Sequence, residues 1–169
     1  LICTSCAPGK YQEENEKSNA ECKYCLAGKY FVSKTLTCDG CEEGKYQSSI
    51  STPSAACSFC DAGRAYVDTE SNCSICPAGR FQNKTDEASV KCEPCESGSY
   101  ADRPGQSFCT LCPKGQFQPS SEQTECVPCT ASAKEVEGAK DCKGCPAGSR
   151  GYLSVGGCKP CSPGRWALE

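Results

Sequence analysis

Every cysteine of this chain sits in a pair of the form C-x-x-C, and that pattern limits what the chain can fold into. Ten pairs account for all 20 cysteines: Cys3/Cys6, Cys22/Cys25, Cys38/Cys41, Cys57/Cys60, Cys73/Cys76, Cys92/Cys95, Cys109/Cys112, Cys126/Cys129, Cys142/Cys145 and Cys158/Cys161. Leu, Ile, Val and Phe together also number only 20 of the 169 residues. That is too few for an ordinary apolar interior, and without the cysteines the composition would read as disordered. Bonds to sulfur must hold the fold, and a single compact enzyme domain is not expected. His is absent, which removes the usual general base, most zinc ligand sets and a simple switch near neutral pH. The 18 basic and 21 acidic residues are interspersed, with a net charge of -3. No basic stripe exists, so neither nucleic acid nor an anionic membrane is an expected partner. No run of 18 apolar residues is present, so membrane contact by this segment is not expected. Leu1 at the start and the absence of Met read as a mature or excised part of something longer.

Self-similarity at a fixed period means an array. From one pair to the next the opening cysteines advance by 19, 16, 19, 16, 19, 17, 17, 16 and 16 residues. The early alternation suggests a unit of two pairs and about 35 residues. Five cysteine-rich modules follow: 1–37, 38–72, 73–108, 109–141 and 142–169. The residue before the last Cys supports this unit. In one series it is Tyr24, Phe59, Pro94, Pro128 and Pro160; in the other it is Ser5, Gly40, Ile75, Leu111 and Gly144. Spacers of alternate pairs also begin alike, with GKYQ at Gly9 and Gly44, GRFQ at Gly79 and GQFQ at Gly115. The fifth module departs, with GSRG at Gly148.

Gly stands three residues after the closing Cys in nine of ten pairs, at Gly9, Gly28, Gly44, Gly63, Gly79, Gly98, Gly115, Gly148 and Gly164, with Ser132 the exception. Such a position asks for positive φ or has no room for a side chain. Two residues later an aromatic follows in seven cases: Tyr11, Tyr30, Tyr46, Phe81, Tyr100, Phe117 and Trp166. Tyr66 and Tyr152 look like displaced versions. These rings are expected to pack, and to cover disulfides through sulfur–ring contact. The spacers Ser48–Ser54 and Pro119–Glu125 read as surface loops. Short strands are expected around Lys29–Val32 and Gly79–Gln82, and one helical turn at Glu135–Lys140.

Two C-x-x-C pairs separated by 12 to 15 residues also fit a zinc site of four thiolates. Three features favour disulfides. Ten evenly spread pairs with scarce aliphatics match secreted scaffolds. The Gly falls at the third position after the pair, whereas zinc knuckles commonly have it directly after. Asn83-Lys84-Thr85 and Asn72-Cys73-Ser74 are N-glycosylation acceptors, meaningful in a secretory protein; in the second, the crosslinked Cys73 lies inside the motif. No metal and no cofactor is expected. Ten copies with no α/β pattern around them do not resemble a thiol oxidoreductase.

Sequence alone leaves two connectivities open. In a parallel scheme each module bonds its first to third and second to fourth cysteine. The bonds are then Cys3–Cys22 with Cys6–Cys25, Cys38–Cys57 with Cys41–Cys60, Cys73–Cys92 with Cys76–Cys95, Cys109–Cys126 with Cys112–Cys129, and Cys142–Cys158 with Cys145–Cys161. In a sequential scheme each closing Cys bonds the next opening Cys, as in Cys6–Cys22 and Cys25–Cys38, which strands Cys3 and Cys161. The parallel scheme uses every cysteine and agrees with the 35-residue period, so it is preferred. Loops of this size contribute about 3 kcal/mol each in the chain-entropy model, which together can replace a missing core. The expected fold is therefore a tandem of small disulfide-rich modules, an elongated rod of short β-hairpins and turns with little regular secondary structure.

The recurring C-x-x-C-x-x-G-x-[YF], as CTSCAPGKY at Cys3, CSICPAGRF at Cys73 and CTLCPKGQF at Cys109, resembles the ephrin-receptor-like cysteine-rich repeat. It is also similar to one module type of tumour-necrosis-factor-receptor cysteine-rich domains, a resemblance that implies first-to-third and second-to-fourth pairing. The repeat occurs in receptors, adhesion proteins and extracellular coats, so it implies an extracellular or cell-surface setting and leaves function open.

Two functions fit. One is a non-enzymatic structural or adhesion segment, a disulfide-stapled rod in a cell-surface or extracellular filament protein. Its partners would be other proteins, including copies of itself head to tail, and it would carry glycans. The other is the ligand-binding ectodomain of a cell-surface receptor, with contacts in variable spacers such as Ala101–Phe108 and Ala131–Asp141. Catalysis is not expected: carboxylate pairs such as Glu13/Glu14 and Glu42/Glu43 lie in polar spacers and read as solvated surface. Asn83 is the foremost N-linked site, Asn72 the second, and Ser48–Ser54 invites O-glycans.

Overall fold

A computed structural model describes residues 3–14, 20–129, 137–142, 149–151 and 158–162. Its regular structure consists of antiparallel pairs of very short strands. β1 (Lys29–Tyr30) pairs with β2 (Asp39–Gly40), β3 (Arg64–Ala65) with β4 (Ser74–Ile75), and β5 (Arg80–Phe81) with β6 (Glu93–Pro94). β7 (Ser99–Tyr100) pairs with β8 (Thr110–Leu111), β9 (Gln116–Phe117) with β10 (Val127–Pro128), and β11 (Ser149–Gly151) with β12 (Cys158–Pro160). Single bridges from Tyr11 to Lys23 and from Tyr46 to Ser58 stand in the same place of the repeat. No helix occurs among the described residues. The fold is a tandem of small disulfide-rich repeats with short hairpins and much turn, as the composition requires.

One rule generates each hairpin. Its first strand is the segment after the recurring Gly, and its second is formed by the two residues inside the next C-x-x-C, joined in β12 by Cys158. Lys29 thus opposes Gly40 and Tyr30 opposes Asp39, and Phe81 opposes Glu93 in the same way. The expected strands at Lys29–Val32 and Gly79–Gln82 are present, shortened to Lys29–Tyr30 and Arg80–Phe81. The helical turn expected at Glu135–Lys140 is not formed in its described part. Glu137–Gly138 is a turn with Gly138 at φ +74°, a left-handed conformation that ends a helix rather than building one. Residues 135 and 136 lie outside the described residues.

The connectivity corrects the preferred parallel scheme. The observed bonds are Cys6–Cys22, Cys25–Cys38, Cys41–Cys57, Cys60–Cys73, Cys76–Cys92, Cys95–Cys109, Cys112–Cys126 and Cys129–Cys142. This is the sequential pattern, and it leaves Cys3 and Cys161 as free thiols among the described residues; Cys145 lies outside them. The strands explain the choice. The residues inside each C-x-x-C are extended, and side chains three apart on an extended segment point to opposite faces. The two sulfurs of one pair therefore diverge, one bonding backward and the other forward. A pair cannot send both to the same neighbour, which the parallel scheme requires. The bonds Cys25–Cys38, Cys60–Cys73, Cys95–Cys109 and Cys129–Cys142 consequently cross the module edges expected at 37/38, 72/73, 108/109 and 141/142.

Each disulfide closes a ring, numbered here 1 to 8 in chain order from Cys6–Cys22. The chain divides into two compact units, Leu1–Ile75 with Lys84–Lys91, and Cys76–Asn83 with Cys92–Glu169. Within each unit a ring passes its backbone to the next by the same rung. The residue three after the recurring Gly donates its N–H to a carbonyl of the following ring. In the first unit these bonds run from Gln12 to Lys34, Phe31 to Ala55, Gln47 to Thr69 and Tyr66 to Val90, at 2.7 to 3.0 Å. In the second they run from Gln82 to Gln106, Ala101 to Gln123 and Gln118 to Ala139, at 3.0 to 3.3 Å. Buried or half-buried backbone donors are thereby satisfied without a wide sheet.

Rings two apart also touch, and this is what the recurring Gly serves. Gly44 has φ +91°, and a Cβ there would stand 2.5 Å from the Ser89 backbone nitrogen of ring 5. Gly79 has φ +83°, and its Cβ would stand 2.5 Å from the Glu122 carbonyl oxygen of ring 7. Both readings of the sequence pattern hold at these positions: the backbone is left-handed, and there is no space for a side chain.

Among the described residues, most of the buried apolar side chains are cysteines. In the first unit, Cys25, Cys38 and Ala55 form a buried cluster against which Tyr11 and Phe31 pack. A second cluster joins Cys60, Cys73 and Val90, with Tyr46 and Tyr66 packed on it. Each cluster spans three rings: an even ring supplies the disulfide and one aromatic, the preceding odd ring supplies a Tyr, and the following odd ring supplies Ala or Val. Tyr11, Tyr46 and the displaced Tyr66 thus cover disulfides as expected, whereas Tyr30 remains 37% exposed.

Candidate functional site

Chemistry-bearing side chains lie at the surface of the rings. Glu42 and Lys45 form an exposed pair at 2.8 Å, which lowers the Glu42 pKa chiefly through the Lys45 hydrogen bond. The Lys45 ammonium stands 5.0 Å from the Phe59 ring centre, and Lys10 repeats this over Tyr24 at 4.4 Å. The two aromatic members of the bulky series, Tyr24 and Phe59, are thus each the seat for a cation. Arg80 pairs with Glu122 across rings 5 and 7 and also donates to the Cys92 carbonyl at 3.1 Å. The Arg80 hydrogen bond lowers the Glu122 pKa and raises that of Arg80. Asp68 accepts from Ser71 N at 2.6 Å, Glu70 N at 2.9 Å and Ser71 Oγ at 3.0 Å, and its pKa is lowered by those bonds. Among the described residues no cluster of three or more His, Cys, Asp or Glu side chains could hold a metal. Glu13, Glu42 and Glu43 are exposed.

Two shallow troughs adjoin in the first unit. One, of about 400 Å³, is lined by Tyr30, Phe31, Gly40, Glu42, Lys45, Ala55 and Ala56 among others. Gly40 holds the place that Ile75 and Leu111 hold in corresponding pairs, and nothing stands within 4 Å of where its Cβ would be. The second, of about 230 Å³, shares Ala55 and Ala56 and is otherwise lined by Tyr46, Gln47, Ser48, Ser49, Thr52, Ser58 and Asn72. Both sequon asparagines, Asn72 and Asn83, are exposed. Asn72 Oδ1 accepts a 2.7 Å hydrogen bond from Ser48 Oγ.

The buried glutamines were not singled out from sequence. Gln47, Gln82 and Gln118 are 3 to 6% exposed. Gln47 Nε2 donates to Lys29 O at 3.1 Å, and Gln118 Nε2 donates to Glu125 O at 2.8 Å while its Oε1 accepts from Ser120 N at 3.1 Å. The signal was the terminal Q of GKYQ, GRFQ and GQFQ, which recurs in odd rings; even rings place Phe31, Tyr66 and Ala101 there.

Disulfide rings in tandem, joined by identical backbone rungs, define a cysteine-rich repeat protein. Residues 63–107, 84–120 and 98–136 match the family described as tyrosine-protein kinase ephrin type A/B receptor-like. Over that stretch the chain is built of ephrin-receptor-like cysteine-rich repeats, and rings with the same pairing continue N-terminal to it. No curated protein matches the chain at a significant level. The repeat family is non-catalytic. Disulfides in this number are characteristic of oxidising compartments, and with the receptor-like repeats they point to an extracellular or cell-surface module.

Proposed function

We propose that the chain is a non-enzymatic structural or adhesion segment of a cell-surface or extracellular filament protein. The repetition of one backbone rung from ring to ring is the observation that supports this most directly. Within each compact unit, crosslinks and rungs together tie each ring to the next, which suits a spacer under load. Its partners are other proteins, among them further copies joined end to end in an open assembly. The competing reading, a ligand-binding receptor ectodomain, draws on the family match and on Ile50 and Phe108, which are 67% and 66% exposed in loops. Light scattering and electron microscopy of the oxidised chain over a wide concentration range separate the two. Concentration-dependent end-to-end growth supports the structural segment. A monomer at every concentration that binds saturably to cells, and loses binding on Phe108→Ser, favours the receptor.

A further inference from the structure

The two sequons differ in their surroundings. Asn83 is exposed beside exposed Lys84 and Thr85. Asn72 lines the smaller trough together with Tyr46, Ser48, Ser49 and Thr52. That lining is already ordered. Gln47 Oε1 accepts from Ser49 N at 2.5 Å, and Thr52 Oγ1 donates to Ser49 Oγ at 2.5 Å. Ser48 engages the Asn72 amide by its oxygen, which leaves the acceptor nitrogen Nδ2 outside that bond. A pyranose has an apolar C–H face and a hydroxyl edge; one half-buried ring and a row of hydroxyls match both.

We propose that Asn72 carries an N-linked glycan whose first sugar is seated in this trough, over Tyr46. Further sugars would run across Ala55 and Ala56 into the adjoining trough beside Tyr30. In the attachment step Nδ2 attacks the anomeric carbon of an oligosaccharide borne on a lipid pyrophosphate. The N–C1 bond forms, the C1–O bond breaks, the lipid pyrophosphate leaves with the electron pair, and Nδ2 gives up one proton. Cys73, inside the sequon, is 4% exposed and bonded to Cys60, so the transfer precedes closure of ring 4. The seated sugar then covers the Ser48–Ser54 loop, which is otherwise open to proteases.

The inference rests on the extracellular reading, because the lipid-linked donor is met only on the secretory route. The test is secretion of the chain from a eukaryotic host, with glycopeptide mapping and limited proteolysis. Ser74→Ala and Thr85→Ala each remove one sequon and keep its Asn. Expected are a glycan on Asn72, several-fold faster cleavage within Ser48–Ser54 in Ser74→Ala, and no such change in Thr85→Ala. Trimming the wild-type glycan to its first sugar should keep the protection, and removing that sugar should abolish it. A bare Asn72 in secreted, fully oxidised protein overturns the inference, whether or not Asn83 is modified, and leaves the extracellular reading standing. A glycan on Asn72 with equal loop cleavage in wild type and Ser74→Ala overturns the seating. Retention inside the cell with free thiols throughout would overturn the extracellular reading itself.

Discussion

Three glycines of the first unit form a graded test of how rings two apart are joined. Gly40 has open space where a Cβ would go and no positive φ. Gly28 has φ +76°, but its Cβ would meet mainly Glu70 Cγ at 2.9 Å and Thr69 Oγ1 at 3.4 Å, the ends of side chains that can move. Gly44 has φ +91°, and its Cβ would meet the backbone of Ala88 and Ser89, with Ala88 Cα at 2.7 Å. Gly40→Ala should therefore be neutral, or stabilising by about 0.4–1 kcal/mol through the unfolded chain. Gly28→Ala should cost the left-handed strain alone, about 1–2 kcal/mol. Gly44→Ala should add a clash with backbone that cannot rotate away, roughly 1–3 kcal/mol more, and weaken the 3.4 Å bond from Ser89 N to Gly44 O. Global denaturation of an array need not be two-state, so the suitable assay is native-state hydrogen exchange with disulfides intact. It should be read at Ser89, and at Tyr46 and Ser58, which exchange N–H bonds at 2.9 Å in ring 3. If Gly44→Ala and Gly28→Ala lose the same protection, the clash with ring 5 is not what selects Gly. If Gly40→Ala is as costly as either, the reasoning fails altogether.

Other consequences follow from burial and charge. Glu122 has its pKa lowered by the Arg80 hydrogen bond. The contribution of this pair is therefore present above the ordinary glutamate value and lost as pH falls through the lower folded one. Protection of the Glu122 N–H, bonded to Cys95 O at 2.7 Å, should fall only below the usual carboxylate range, and Arg80→Gln should lower it already at neutral pH and remove that pH dependence. Limited reduction should open Cys41–Cys57, half-buried at both ends, several-fold faster than Cys25–Cys38 or Cys60–Cys73, whose residues are 1 to 7% exposed; mapping the alkylated cysteines reads the order. Gln118→Ala leaves the Glu125 carbonyl and the Ser120 N–H without their amide partner and should cost about 1–3 kcal/mol, seen as faster exchange at Ser120.

Much of this architecture is legible in the residues. The tandem of cysteine pairs, the left-handed glycines, the sulfur–aromatic interior and the turn-rich loops all follow from C-x-x-C-x-x-G-x-[YF]. The disulfide partners are not, because spacing alone does not say whether the residues inside a C-x-x-C are turned or extended, and extension is what sends the two sulfurs apart. The 35-residue alternation is real but records packing rather than crosslinking: rings with Gln12, Gln47, Gln82 and Gln118 alternate with rings holding Phe31, Tyr66 and Ala101 at the same position. The smaller trough at Asn72 was equally invisible, since Ser48 lies 24 residues from the amide it holds and only the stacking of ring 4 on ring 3 brings them together.

That alternation has a consequence for the smallest change the array tolerates. An even-ring disulfide is covered from one side by the Tyr of the ring before it and from the other by Ala55 or Val90 of the ring after it. An odd ring offers a buried Gln at the corresponding rung, which needs polar partners such as Lys29 O. Deleting residues 41–59 removes ring 3 alone and reads Cys38-Asp-Gly-Cys60, a legal C-x-x-C that sets one even ring against another. Tyr46 is lost from the Cys60–Cys73 cluster and Ala55 from the Cys25–Cys38 cluster, with nothing of matching shape to replace them. Deleting residues 41–75 removes rings 3 and 4 together and reads Cys38-Asp-Gly-Cys76, so ring 5 follows ring 2 and Val90 takes the place of Ala55. The shorter deletion should therefore be secreted poorly, with scrambled disulfides on peptide mapping. The longer one, despite losing nearly twice as many residues, should keep the sequential pairing. Equal yields and equal pairing in the two would mean that each ring is self-sufficient, and that the buried clusters shared among three rings contribute nothing to folding.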